Sequence, residues 1–499
     1  MNNIITYSGR FSGGYFVLNN KKVEIDYLDE EDNFYVTNEK NQGLLNSILN
    51  LISTSKNYLK ICSFIIDNRQ VVESIINRLK QDKIPVFILT AVDDKNIKSD
   101  ILDENEFHEF SKSRHFEFID ELVKEGAHLR ASSNAHAKFV IKDGQEALLM
   151  SANLTEPSLN NNEKGNDPNK ESGIEIKEEK EVKILERIFD SVFLYGTEFR
   201  KFINLDDNTQ LISKNEIEIQ PTDFPQSDSS LVWTYETYHH LIYDNINSLI
   251  SAANNTLKLS TYSIVELNNL QELISNIISF KERSIGPIKI FCRAMNHRAD
   301  HLTSCKLLAE MGIEIYGDMF NHSKGISIDN SHGMIFTANI DGKHGLKSGF
   351  EVGYYLERSN KSFTAFNAFM DYQIESAPYV FKLSPYKREL FEFYENWYKT
   401  KEIKVPNTVP EILEIKFRSN AMNADAFVDG ITNYPVFFTI LNGSENNELQ
   451  FIIDEKAYLL EKLNESTFSL KKQLYNKDIV NAEKYILAYK QINLTSYES

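Results

Sequence analysis

The sequence predicts an α/β protein built from two homologous α/β/α domains. Two observations carry this. Strand-like apolar runs alternate with helical periodicity across residues 41–205, and the same order of elements returns across residues 233–403. A polar set, His136-x-Lys138 with Asp143, also recurs at identical spacing as His322-x-Lys324 with Asp329.

Residues 1–40 read as a small β appendage, with short apolar runs set between Gly13-Gly14 and Asn19-Asn20. In the first domain Leu44, Ile48, Leu51 and Ile52 fall on one helical face. The runs Tyr58 to Ile66 and Pro85 to Thr90 read as buried strands, with a helix around 71–79 between them. A helix around 107–125 and a strand at 127–130 lead into the first polar set. This βαβ order implies a mostly parallel sheet. In the second domain 243–253, 256–262, 287–292 and 312–316 repeat these steps. Residues 206–232, polar and containing Pro221 and Pro225, read as a linker. Residues 404–499 read as an α+β accessory domain with strands near 412–417, 436–441 and 449–453 and a helix at 480–489.

Each polar set is expected on a hairpin. Residues i and i+2 of a strand share a face, so His136 and Lys138 point together if 135–142 is extended. Asp143-Gly144 and Asp329-Asn330 are two-residue turn signals. The return strands then carry Ser151-Ala-Asn153 and Thr337-Ala-Asn339. An imidazole serves as nucleophile or as acid and base near neutral pH. Lys supplies a point charge for phosphate, and Asn with Ser or Thr supplies neutral hydrogen bonds. Two such hairpins facing one anionic centre suit attack on a phosphodiester by one His while the other protonates the leaving oxygen.

The pattern His-x-Lys-x4-Asp, followed by a small polar residue, any residue and Asn, resembles the phospholipase D superfamily. The resemblance implies a pseudo-two-fold site and a phosphohistidine intermediate, with no metal and no cofactor. It implies His136 as nucleophile and His322 as acid, aided by Lys138, Lys324, Asn153 and Asn339. It also implies a downstream acidic residue that orients each His. Aligning Ser172-Gly-Ile-Glu175 with Ser348-Gly-Phe-Glu351 assigns Glu175 and Glu351 to that role. Ser151 and Thr337 are expected to bind substrate, and Asp143 and Asp329 to shape the turns. The family's Gly before the small polar residue is replaced by Met150 and Phe336.

Other features admit two readings. The loops 154–172 and 340–349, the latter with Lys343, His344 and Lys347, either set specificity or are surface insertions. The aromatics from Phe363 to Tyr398 are either helix core or a base-stacking stripe. Cys292, His297, His301 and Cys305 fit known zinc spacings poorly. Arg293 and Arg298 are candidates for phosphate contacts or ion pairs.

Composition narrows the function classes. No run approaches the roughly eighteen apolar residues of a membrane span, and no secretory signal is evident. Three Cys build no disulfide framework, so a cytoplasmic setting is expected. The net charge of −18 argues against a general polyanion or membrane-surface binder, and suggests a partner subunit that delivers substrate. The expected function is a metal-independent nuclease acting on DNA or RNA, as found in antiviral defence systems, with a partner ATPase or helicase and oligomerisation both open. The alternatives are a phospholipase D-type lipid phosphodiesterase and a non-catalytic subunit binding nucleic acid or an ATPase.

Overall fold

A computed structural model describes residues 13–25, 27, 33–90, 112–160, 168–204, 209–213, 224–225, 229–296, 298–386, 389–390, 392–393 and 396, and the backbone of short strands between 414 and 497. The chain divides into two compact units. The larger holds residues 22–293 and 313–377, and the smaller holds 1–21, 294–312 and 378–499.

The larger unit contains two α/β halves. In the first, β2 (Phe34–Thr37), β3 (Leu59–Cys62), β4 (Val86–Thr90), β5 (His128–Ala131), β6 (Phe139–Lys142), β7 (Glu146–Met150), β8 (Glu171–Ile176), β9 (Phe199–Ile203) and β10 (Thr209–Ser213) form one sheet in the order β10-β9-β5-β4-β3-β6-β7-β8-β2. In the second, β11 (Leu231–Tyr235), β12 (His239–His240), β13 (Leu257–Ser260), β15 (Ile288–Arg293), β16 (Glu314–Asp318), β17 (Gly325–Ile328), β18 (His332–Phe336) and β20 (Phe350–Glu357) run in the order β16-β15-β13-β17-β18-β20-β11-β12. A short pair, β14 (Ile264–Val265) and β19 (Ile340–Asp341), lies apart.

The two orders match strand for strand from β5 to β2 and from β16 to β11. Three strands are parallel in each half, β3 with β4 and β5, and β13 with β15 and β16. The polar hairpins then add antiparallel strands. The sheets are therefore mixed rather than mostly parallel, because a two-residue turn can only reverse the chain.

Side-chain alternation builds the layers. In β6 and β7, Phe139, Ile141, Ala147 and Leu149 face one core, while Val140, Leu148 and Met150 face another. The second core is closed by helices Gly43–Thr54, Arg69–Asn77 and Lys112–Lys124 through Leu44, Ile48, Val71, Ile75, Phe118 and Leu122. Asn68 caps the middle helix by accepting from Val71 N at 3.1 Å. The first core is shared by both halves. Val182, Leu185 and Phe189 of helix Glu179–Tyr195 join Trp233, Ile335, Val352, Phe366 and Phe369 in a single buried cluster. Burying each such side chain contributes about 1.5–3 kcal/mol, so this common core is what welds the halves. Phe363, Phe366 and Phe369 of helix Lys361–Glu375 are thereby core residues and no stacking stripe.

The first forty residues, expected as a separate β appendage, instead serve two sheets. Strand β1 (Gly14–Leu18) pairs with β21 (Tyr379–Leu383) in the smaller unit. Strand β2 pairs with β8, just as β11 pairs with β20. The edge of β8 would otherwise leave a row of backbone groups unpaired, and Phe34 and Val36 add their side chains to the shared core. In the smaller unit, strands between Glu414 and Tyr497 form a seven-stranded sheet. The helix expected at 480–489 and most of the linker at 206–232 lie outside the described residues.

Gly173 shows how tightly β8 is seated. A Cβ there would lie 2.9 Å from Leu149 O and 2.7 Å from Leu44 Cδ2. Gly173→Ala is expected to destabilise the protein by about 1–3 kcal/mol, read as a lower urea midpoint at unchanged slope. An unshifted midpoint would show that β8 has room to move.

Candidate active site

Both polar sets lie on hairpins with matching turns. Asp143 and Gly144 have φ of 56° and 64°, and Asp329 and Asn330 have 52° and 49°. These left-handed pairs carry the twist of a type I′ connection. The motif aspartates are structural. Asp143 Oδ1 accepts from the amides of Asn57 (2.7 Å) and Tyr58 (3.0 Å), and Asp329 Oδ1 from Asn255 (2.7 Å) and Thr256 (2.8 Å). Each thus ties a turn to the start of the neighbouring strand, β3 or β13. Partial burial raises the Asp329 pKa, but the amides of Thr256, Asn254 and Asn255 outweigh it and hold the carboxyl below its ordinary value.

The strand expected from residue 135 begins only at Phe139. The preceding backbone bonds to the other half instead. His136 N donates to Phe350 O (3.1 Å) and Phe350 N to Asn134 O (2.8 Å). On the opposite side His322 N donates to Lys170 O (3.0 Å) and Lys170 N to Phe320 O (2.7 Å). These two short ladders place each His beside a glutamate of the other half. His136 Nδ1 lies 2.7 Å from Glu351 Oε1, and His322 Nδ1 lies 2.7 Å from Glu171 Oε1. All four side chains are buried.

Glu351 therefore lies against a motif histidine, and Glu175 does not. Glu175 takes the Tyr35 hydroxyl (3.0 Å) and Lys177 (3.1 Å), and it is Glu171 that lies against the second histidine. The Ser-Gly alignment anchored on the wrong glycine. Gly173 pairs with Met150 and Gly353 with Phe336, so the true repeat is Glu171-Ser-Gly173 and Glu351-Val-Gly353. The signal was the glycine packed on the preceding strand, since a Cβ at Gly353 would lie 3.0 Å from Phe336 Cβ.

Ser151 and Thr337, expected to bind substrate, are likewise engaged elsewhere. Ser151 Oγ donates to Glu171 Oε2 at 2.5 Å, and Thr337 Oγ1 donates to Glu351 Oε2. A hydroxyl beside an anion in low dielectric turns toward it. Burial pushes both glutamate pKa values up, but the facing His, the motif Lys and the hydroxyl prevail and hold both below the ordinary range.

Lys138 and Lys324 anchor on the carbonyls of His136 (2.6 Å) and His322 (2.8 Å). Lys138 Nζ also lies 2.8 Å from His136 Nε2. The side-chain oxygens of Asn153 and Asn339 are both buried without a hydrogen-bond partner. These two atoms sit at equivalent places in the repeat, which makes the Asn153 and Asn339 amides candidate ligand contacts. Two ring neighbours escaped sequence reasoning. Phe64 meets the His136 ring edge-on at 5.5 Å and Tyr262 meets His322 at 5.2 Å. They occupy equivalent positions after β3 and β13.

Beside Glu171, the buried Lys170 pairs with Asp318 at 2.7 Å. Burial alone would lower its pKa, but Asp318 and Glu39 reverse this and raise it. The loop after Asn339 shapes a small recess on the other side, about 20 Å³, bordered by His136, Asn339 and Glu351. Arg298 pairs with Asp300 at 3.0 Å, and the Arg293 guanidinium sits 5.2 Å from the Tyr262 ring. Cys305 Sγ lies 3.6 Å from His301 Nε2, while His297 lies outside the described residues. No described helix is long and apolar enough to cross a membrane.

Residues 48–193 match the family described as "Cardiolipin synthase, PLD-like domain". A comparison with curated protein sequences gave no match. Among solved structures the chain is similar to polyphosphate kinase from Porphyromonas gingivalis (11% identity, TM-score 0.43, covering 68% of this chain and 49% of that one). It is also similar to phosphatidylserine synthase from Haemophilus influenzae Rd KW20 (9%, 0.46, 78% and 90%). A third is a phospholipase D family member, Nuc, from Salmonella typhimurium (16%, 0.25, 32% and 97%). The chain spans about half the length of the polyphosphate kinase.

The depressed glutamates set an acid limit. Their contribution to stability is complete above the ordinary value of 4.5 and is lost as pH falls through the lower folded values. The stability gap between wild type and E171Q, measured by urea unfolding, is expected to be widest at neutral pH and to narrow below about 4.5. A gap independent of pH would contradict the charged pairing.

Proposed function

We propose that the chain is a member of the phospholipase D superfamily and a metal-independent phosphodiesterase that cleaves nucleic acid through a phosphohistidine. The observation that carries this is the exchanged pairing of His136 with Glu351 and of His322 with Glu171. A carboxylate at Nδ1 fixes the imidazole tautomer and leaves Nε2 for chemistry. In this reading His136 Nε2 attacks phosphorus and forms the P–N bond. The P–O bond to the leaving group breaks, and His322 gives that oxygen its proton. Water then attacks phosphorus, His322 takes the water's proton, and the P–N bond breaks to release the product. Lys138 and Lys324 turn to the phosphoryl oxygens, and the amides of Asn153 and Asn339 complete the cradle. Paired ammonium and amide groups supply the charge stabilisation that a metal supplies elsewhere.

Nucleic acid is the reading that suits a site bordered by polar groups. The net charge of −18 opposes a free polyanion at long range. We therefore assign delivery of substrate to a partner, an ATPase or helicase subunit of an antiviral defence assembly.

Labelled single- and double-stranded DNA and RNA, incubated with excess EDTA, are expected to be cleaved. H136A should abolish cleavage, and E171Q should lower kcat about 10²- to 10⁴-fold, while E175Q stays within about threefold. Head-group release from phosphatidylcholine vesicles without nucleic-acid cleavage would turn the assignment to a lipid phosphodiesterase. Equal losses in E171Q and E175Q would remove the role given to Glu171.

A further inference from the structure

The segment that carries His322 is held by a ring of contacts in which a buried ion pair takes part. Lys170 N donates to Phe320 O (2.7 Å) and Lys170 O accepts from His322 N (3.0 Å), so the Lys170 backbone spans the turn before the histidine. Its side chain then reaches Asp318, with Nζ 2.7 Å from Oδ2. Asp318 Oδ1 accepts from Phe320 N (2.9 Å), which closes the ring. Both charged side chains are buried, and the Lys170 ammonium also lies 5.7 Å from the centre of the Tyr372 ring. Glu171, the partner of His322, is the next residue in the chain. The His136 side is built differently. At the spacing of Asp318 before its histidine the chain has Ser132, and at the place of Lys170 it has Phe350. Ser132 Oγ accepts from Asn134 N (3.2 Å), while Phe350 packs on Phe139 and Tyr235. The beds beneath the two histidines differ in the same sense. Asn321 Nδ2 donates to Thr261 O (2.8 Å), and Gln373 Nε2 donates to Ser323 Oγ (2.6 Å), which donates to Asn321 Oδ1 (2.9 Å). The counterparts of Asn321 and Ser323, Ala135 and Ala137, belong to the apolar core.

We infer that Lys170 and Asp318 are positioning residues for His322, their ion pair fixing the acid histidine between its glutamate and the leaving oxygen. The inference rests on the phosphodiesterase reading, with His322 as the acid. A proton crosses only when the heavy atoms lie within about 2.6–3.2 Å. The histidine that bonds to phosphorus is held by that bond once it forms. The one that moves protons is held only by its surroundings. A buried ammonium and a carboxylate engaged through both oxygens have one good arrangement, since any other leaves a charge unpaired in low dielectric. An apolar contact such as that of Phe350 is non-directional and selects a position less sharply. Burial favours the neutral amine of Lys170, but Asp318 and Glu39 outweigh it, so the latch stays charged.

The test compares two diesters of thymidine 5′-phosphate, one to p-nitrophenol and one to the 3′-oxygen of a second thymidine, in EDTA with the full chain. p-Nitrophenolate leaves without a proton, whereas an alkoxide needs one. The ratio kcat/KM reads the first transfer, in which His136 takes the phosphoryl group. K170M/D318N removes both charges at nearly constant volume and keeps the oxygen that accepts from Phe320 N. K170F/D318S grafts the residues of the His136 side. In both variants kcat/KM for the dinucleotide is expected to fall about tenfold to a hundredfold, while that for the p-nitrophenyl ester stays within about threefold. Neutral replacement of a whole buried pair leaves a fold intact, which the urea midpoint reads, and if one variant is unfolded the other carries the test. An equal fall on both esters, no fall on either, or unfolding of both variants makes the pair structural and overturns the positioning role while the diesterase stands. No cleavage of either ester by the wild type overturns the diesterase reading and the role with it.

Discussion

The structure depends on an exchange of carboxylates. Neither half completes its own histidine. Glu351 of the second half holds His136, and Glu171 of the first half holds His322. A buried charge is costly unless it is paired, and here each pair needs both halves docked. The backbone ladders at His136–Phe350 and His322–Lys170 enforce the same docking, and the shared apolar core supplies its free energy. The site exists only where the two halves are docked.

The repeat is not a strict copy. Where Phe350 packs edge-on against Phe139 and Tyr235, its counterpart Lys170 forms a buried ion pair with Asp318. Where Phe64 meets the His136 ring, Tyr262 meets that of His322. An apolar latch closes the His136 side and a charged latch the His322 side. Two chemically equal imidazoles therefore stand in unequal surroundings.

Much of this was legible in the chain. The spacing of His, Lys and Asp set the hairpins, because two-residue turns and period-2 alternation are local properties. The helix carrying Leu44, Ile48, Leu51 and Ile52 was equally local. Glu171 was missed because its partner, His322, is 151 residues away and no periodicity links them. The edge role of β2 was missed for the same reason, since strand pairing is decided by an unpaired neighbour far along the chain. Ser151 and Thr337 were read as ligand groups because a hydroxyl's orientation depends on the nearest charge, which sequence does not locate.

The central claim is that both imidazoles address one phosphorus. A crystal structure with orthovanadate tests it most directly. The account predicts a single vanadate with His136 Nε2 bonded to the metal centre and His322 Nε2 at hydrogen-bond distance from one of its oxygens, the Asn153 and Asn339 amides completing the shell. Vanadate held by one half alone, with the second imidazole turned away from it, would contradict the account.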